Sequence, residues 1–208
     1  MTSRKERTRA ALVRAAQTVI AEGRMNASIL DITTVADVGM GSFYNHFGTR
    51  EELFAAAADD AMEMHGALLD ELAEGLDDPA EVFARSFRLT GRLYRLEPEL
   101  SKVLLAHGPA LLSSDRGLAP RALRDIEQAV EAGRFTVADP QVALLIAAGS
   151  VLALGQLLHD DPERDAAGPT DQMTEDLLRM FGVPAAEAHE ISRRDLSSVM
   201  PVRAAVSA

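Results

Sequence analysis

The chain has no cysteine, and that absence excludes disulfide staples, thiolate metal sites and cysteine nucleophiles. Its first residues, MTSRKERTR, are charged where a secretory signal would be apolar, so a cytoplasmic location is expected. The histidines at His46, His65, His107, His159 and His189 never recur at the His-x-x-x-His spacing of a zinc helix. His159 precedes Asp160 and Asp161, but at a helix end its cation complements the dipole, a better account than a metal. No Gly-x-Ser-x-Gly elbow or phosphate loop is present, and Ser86 and Ser101 have no base beside them in the sequence. Together these gaps argue against an enzyme and against any cofactor or metal.

Charge is missing too, from the run VALLIAAGSVLALGQLL that ends at Leu158. Its seventeen residues sit at the lower limit for crossing a bilayer. Basic flanks and aromatic belts are absent, so no membrane association is expected. A helix that is apolar all round is buried on both sides. One face belongs to its own core, and the other, with Ala148, Ser150, Leu152 and Gly155 as candidates, meets a second subunit.

What the chain does contain reads as helix throughout, so the fold class is all-α. The 208 residues suit one or two domains. A first helix spans 4–22, with Leu12, Ala15, Ala16, Val19 and Ile20 on one stripe and Gly23 closing it. Thr49 and Glu52 have capping-box spacing and open a long helix whose apolar residues continue through Leu53, Ala57, Met64, Leu68 and Leu72. Asp78-Pro79 pairs a cap with a first-turn proline ahead of Val82, Phe83, Phe87 and Tyr94. A short helix over 99–107 follows, then a loop from the Gly, Pro and Ser of HGPALLSSDRGLAP, then a helix over 120–132. Asp139-Pro140 repeats the cap signal for the uncharged run. Helices over 170–181 and on to Val199 complete the chain.

The most specific segment is SILDITTVADVGMGSFYNHFGTREEL, residues 28–53. Ser28 is suited to cap a helix bearing Ile29, Ile32 and Ala36, and Val38 carries the apolar seam across a turn. Gly39 and Gly41 permit close backbone approach, and Phe43 and Phe47, four apart, bury one face of a second short helix. Its other face shows hydrogen-bonding side chains. This is the grammar of a helix-turn-helix, in which a thin helix enters a major groove. Asn45 is suited to adenine, Ser42 to several bases, and Met40 to a thymine methyl.

This run resembles the DNA-binding signature of the TetR family of transcriptional regulators, through Ala36, Tyr44, His46, Phe47, Arg50, Glu51, Glu52 and Leu53. Two positions depart from the family pattern: Asp37 replaces a turn glycine, and Gly39 replaces a capping serine. Asp tolerates a left-handed turn, and glycine caps without providing a side-chain oxygen. The resemblance implies phosphate contacts from Ser28, Tyr44, His46 and Arg50. With Met40, Gly41, Ser42 and Asn45, these make the expected DNA-binding set.

Charge divides the chain in the same way. Residues 1–50 hold seven Arg or Lys against four acids, whereas the whole chain is formally −11. The basic head is expected to face phosphates and the acidic remainder to be repelled by them. The expected organisation is therefore a helix-turn-helix domain over 1–50 and a helical effector-binding and dimerisation domain over 51–208.

The resemblance further implies a homodimer joined through the last two helices and a body that holds a small-molecule effector. Met64, Leu68, Phe83, Phe87, Tyr94, Leu104 and His107 are the candidate pocket residues, with Tyr94 and His107 as polar markers of an apolar ligand. The function expected is a repressor released from a palindromic operator by that ligand. The alternative is a constitutive DNA-binding or architectural protein of the same fold, without an effector.

Overall fold

A computed structural model describes residues 3–111 and 115–196, except for the side chains of 107 and 109–111. Among the described residues there are ten α-helices and no strand. They are α1 (Arg4–Ala21), α2 (Ile29–Val35), α3 (Met40–Tyr44), α4 (Arg50–Ala73) and α5 (Pro79–Leu96). α6 (Pro98–Leu111), α7 (Leu118–Glu131), α8 (Pro140–Asp160), α9 (Ala167–Met180) and α10 (Ala185–Ser192) follow.

Local chemistry sets most starts. Ser3 caps α1 in a reciprocal box with Glu6, and Ser28 does the same for α2 with Asp31. Asp139 accepts from the backbone of Gln141 and Val142 at the head of α8, with Pro140 in the first turn. Asp37, between α2 and α3, has φ 52, the left-handed conformation the turn requires. Two ends differ from the expectation. α6 continues through Gly108 and Pro109 to Leu111, and α10 stops at Ser192, where Arg193 leaves the helix; Val199 lies outside the described residues.

The chain forms two compact units. The first runs as far as Gly66 and returns for Leu93–Ala119; the second takes Ala67–Arg92 and the described residues from Pro120 onward. Each of α4 and α5 therefore contributes to both without a break.

The first unit packs Leu12, Ala16, Val19 and Ile20 of α1 against Ile32, Phe43, Leu53 and Ala57. Leu93 of α5 and Val103 and Leu104 of α6 complete that core. Side chains of this size contribute about 1.5–3 kcal/mol each when fully buried. Here they hold α2 and α3 in place.

The second unit is built on aromatic rings. Phe83 meets Phe135 edge-on at 5.5 Å and Phe181 at 5.6 Å, while Phe87 stacks on it at 6.2 Å. Ile126, Leu177, Leu178 and Ile191 pack around them. α5 and α9 approach closely at Gly91, where an added β-carbon would lie 2.7 Å from Thr170 Oγ1 and nearer still to its methyl. A buried ion network ties the same helices: Arg88 and Arg92 each donate to Asp171 at 2.8 Å, and Arg88 also donates to the Arg194 carbonyl.

Candidate nucleic-acid interface and effector site

α3 is only five residues long, and its cap, Gly39, makes no side-chain hydrogen bond. Its position comes from Phe43, fully buried, and Phe47, whose rings lie 6.1 Å apart. Those anchors leave Met40, Gly41, Tyr44 and Asn45 exposed and Ser42 half-buried on the opposite side. Tyr44 sits edge-on to Phe43 at 5.2 Å, yet 59% of its surface is free. A helix held by one apolar face and open on the other suits insertion into a groove.

The four residues assigned to phosphate are distributed around this helix. Ser28 is exposed, but its hydroxyl is engaged with Asp31, donating to Oδ2 at 2.7 Å and accepting from the backbone at 3.1 Å. Arg50 opens α4, pairs with Glu51 at 2.9 Å, reaches the Ala27 carbonyl at 3.4 Å and lies over the Phe54 ring. A phosphate arriving at Arg50 has to compete with Glu51. His46 is half-buried beside Phe47. Desolvation, together with the positive charges of Lys5 and Arg9, holds its imidazole below the ordinary histidine value. Arg9 itself lies over the Phe47 ring, 5.3 Å from its centre.

The seven residues assigned to an effector divide between the units. In the first, Leu104 is part of the head core, Tyr94 is buried and its phenol pushed up by desolvation, and Met64 is 62% exposed. His107 lies on α6, its side chain outside the described residues. In the second, Phe83 and Phe87 belong to the aromatic core and Leu68 is half-buried.

Sequence reasoning missed a polar cluster in the second unit. Asp70 accepts from Arg121 at 2.8 Å and from Arg124 at 2.7 Å, and Arg124 also donates to Asp125 at 2.7 Å. Asp125 is only 5% exposed. Burial drives its carboxyl above the ordinary aspartate value despite Arg124, whereas the two arginines overcome desolvation and hold Asp70 below its own. The available signal was placement: Asp125 falls on the stripe that carries Ala122, Ile126 and Ala129, where an apolar residue belongs. Among the described residues, no cluster of histidine and carboxylates has the grouping of a metal site.

The comparisons agree with this geometry. Residues 78–194 match the family model for the tetracyclin repressor-like C-terminal domain. A crystal structure of RolR in complex with its ligand resorcinol is 40% identical, with 92% of this chain and 96% of that one covered and a TM-score of 0.79. The chain belongs to the TetR family of transcriptional regulators. RolR without ligand is 38% identical over 90% of this chain and 97% of its own, with a TM-score of 0.78. A TetR-family transcriptional regulator from Pectobacterium atrosepticum is 25% identical over 86% and 95%, with a TM-score of 0.64. Among curated proteins none matches. The all-helical fold is thus that of TetR-family regulators, which bind DNA and small-molecule ligands as dimers.

Proposed function

We propose that this regulator is a dimeric repressor whose α2–α3 head reads an operator half-site and whose body releases it on binding a small hydroxylated aromatic. The observation that carries the reading is the 40% identity to RolR over 92% of the chain, in a structure described with resorcinol bound. The exposed face of α3 supports the DNA half of the reading, with Met40, Gly41, Ser42 and Asn45 toward bases and Ser28, Tyr44, His46 and Arg50 toward phosphates.

For the effector half, a diphenol has two O–H donors on an apolar ring. A site for it needs acceptors at the edge of an apolar wall. Asp125 and Asp70 supply acceptors, oriented by Arg121 and Arg124, and Ile126, next to Asp125, packs in the same core as Phe83 and Phe87. Leu68, on the same helix as Asp70, is a further apolar contact. This assignment moves the polar marker of the site from Tyr94 and His107 to the Asp125 cluster.

Dimerisation is assigned to α8 with α9, one element earlier than the closing helices. Val142, Leu145, Ile146 and Leu157 of α8 and Met180 of α9 are large, apolar and exposed in the single chain. α8 is also the one described helix with the length and hydropathy to cross a membrane. Its exposed row is read here as a subunit contact, in a protein of the cytoplasm. Binding of such a dimer to B-DNA requires its two α3 helices to meet successive major-groove faces, about 34 Å apart. A ligand that favours another spacing weakens binding by population shift.

Titration of the protein with resorcinol, followed by calorimetry, and then of its complex with genomically selected DNA fragments tests the reading. Saturable binding that releases the DNA supports it. Selected DNA that stays bound at saturating resorcinol, and under a panel of other phenols, would leave a constitutive DNA-binding protein instead.

A further inference from the structure

The basic side chains at the start of α1 are not explained by the helix-turn-helix signature. Lys5 and Arg9 are four residues apart and share one side of the helix. Arg9 lies over the ring of Phe47, and both cations act on His46, whose own ring is 6.5 Å from that of Phe47. All three positive or protonatable groups therefore converge on the C-terminal side of α3. Lys5 and Arg9 are exposed, and neither is engaged by a carboxylate in an ion pair described for this unit. Arg7 provides a contrast. It is exposed and also cationic, but lies about 200° around the helix from each of them.

We infer that Lys5 and Arg9 of α1, with His46, form a phosphate-binding row beside the recognition helix, and that a phosphate seated there brings a proton onto His46. The inference rests on the DNA-binding reading and extends it to residues outside the motif. In the free protein the imidazole is held down first by desolvation and then by the positive charges of Lys5 and Arg9, which oppose a further positive charge beside them. An anion reverses that. It is attracted by Lys5 and Arg9, and it stabilises the imidazolium once it is in place. The stacking of Arg9 on Phe47 fixes its guanidinium, so the row is oriented before DNA arrives and less ordering is needed on binding. Because these are backbone contacts, they add affinity for any duplex and carry no sequence information.

The sign of the pH effect follows. His46 has a lowered value in the free protein and a higher one beside phosphate, so the complex binds more protons between those two values. Affinity therefore rises as pH falls through that window and levels off below it.

The test needs no knowledge of the operator. Anisotropy of a labelled duplex of random sequence, measured across a salt series, gives the dependence of log affinity on log salt. Lys5→Ala and Arg9→Ala should each reduce that slope by about 0.9 per subunit, while Arg7→Ala leaves it unchanged. Repeating the series across pH should show wild-type binding tightening toward acid, His46→Gln flat, and Arg9→Ala with its midpoint moved to higher pH. Equal reductions for Arg7 and Arg9, or none for Arg9 and Lys5, would overturn the row. A His46→Gln profile identical to wild type would overturn the proton step. If wild type shows no salt-dependent binding at all, the DNA-binding reading itself fails. If Tyr44 and Arg50 variants bind more weakly but Arg9 and Lys5 variants do not, only the present inference does.

Discussion

At the scale of single residues, the two instructive positions are a carboxylate and a glycine. Asp125 has a folded value raised above that of the unfolded chain, chiefly by burial. Its protonated form is therefore favoured by folding below the unfolded value, and that advantage is lost as pH rises through the folded one. Above the folded value its charge works against the fold, so there Asp125→Asn should unfold at a denaturant midpoint no lower than wild type. In acid the two should converge, because both side chains are then neutral. The same variant should lose its response to resorcinol, separating a cost to stability from a role in binding. A drop in stability above the folded value would instead make Asp125 a structural partner of Arg124. Gly91 is simpler. Thr170 is fully buried and donates to the Ala166 carbonyl, so it has little room to yield to a new methyl group. Gly91→Ala should cost about 1–3 kcal/mol by overpacking. Combination with Thr170→Ala should recover part of that loss, a coupling that a double-mutant cycle reads directly.

At the scale of elements, what the sequence showed was what is local. The Ser28 cap of α2, the Asp139-Pro140 start of α8 and the Phe43/Phe47 pair of α3 each lie within a few residues, and each is found where it was read. Asp37 takes the left-handed turn that its side chain tolerates. The extension of α6 past Gly108 and Pro109 was not legible, because both residues argue locally for a stop. The Asp125 cluster was hidden for a different reason: Asp70 and Arg124 are 54 residues apart, and no periodicity links them. α8 shows the limit most clearly. A run with no charge has no polar face to tell inside from outside, and Gly155, a candidate for the subunit contact, is buried in its own chain. Leu145, by contrast, is 57% exposed. Leu145→Glu should give a helical, soluble monomer in sedimentation velocity, whereas Gly155→Glu should destabilise the subunit itself, since it buries an unpaired charge. A Leu145→Glu protein that remains dimeric would move the contact to another face.

At the scale of the whole molecule, the proposed function requires ligand and DNA to be linked through one free energy. If resorcinol weakens DNA binding by a factor of about 5 to 150, DNA must weaken resorcinol binding by the same factor. Calorimetric titration of the free protein and of its DNA complex should return matching ratios. Unequal ratios would mean that the two ligands do not share a single equilibrium. The path of the chain sets a further bound on how this protein can be altered. Because Leu93, Val103 and Leu104 belong to the core that holds α2 and α3, the reading head is not a detachable module. A fragment ending in the α4–α5 turn lacks three of its own core residues and should be recovered unfolded or aggregated, not as a small DNA-binding protein. Grafting residues 1–50 onto another regulator's body should succeed only where that body brings matching side chains at the three positions. New specificity in such a lineage is then expected to arise by substitution on the open face of α3, and recombination at the apparent domain boundary should be a poor route to it.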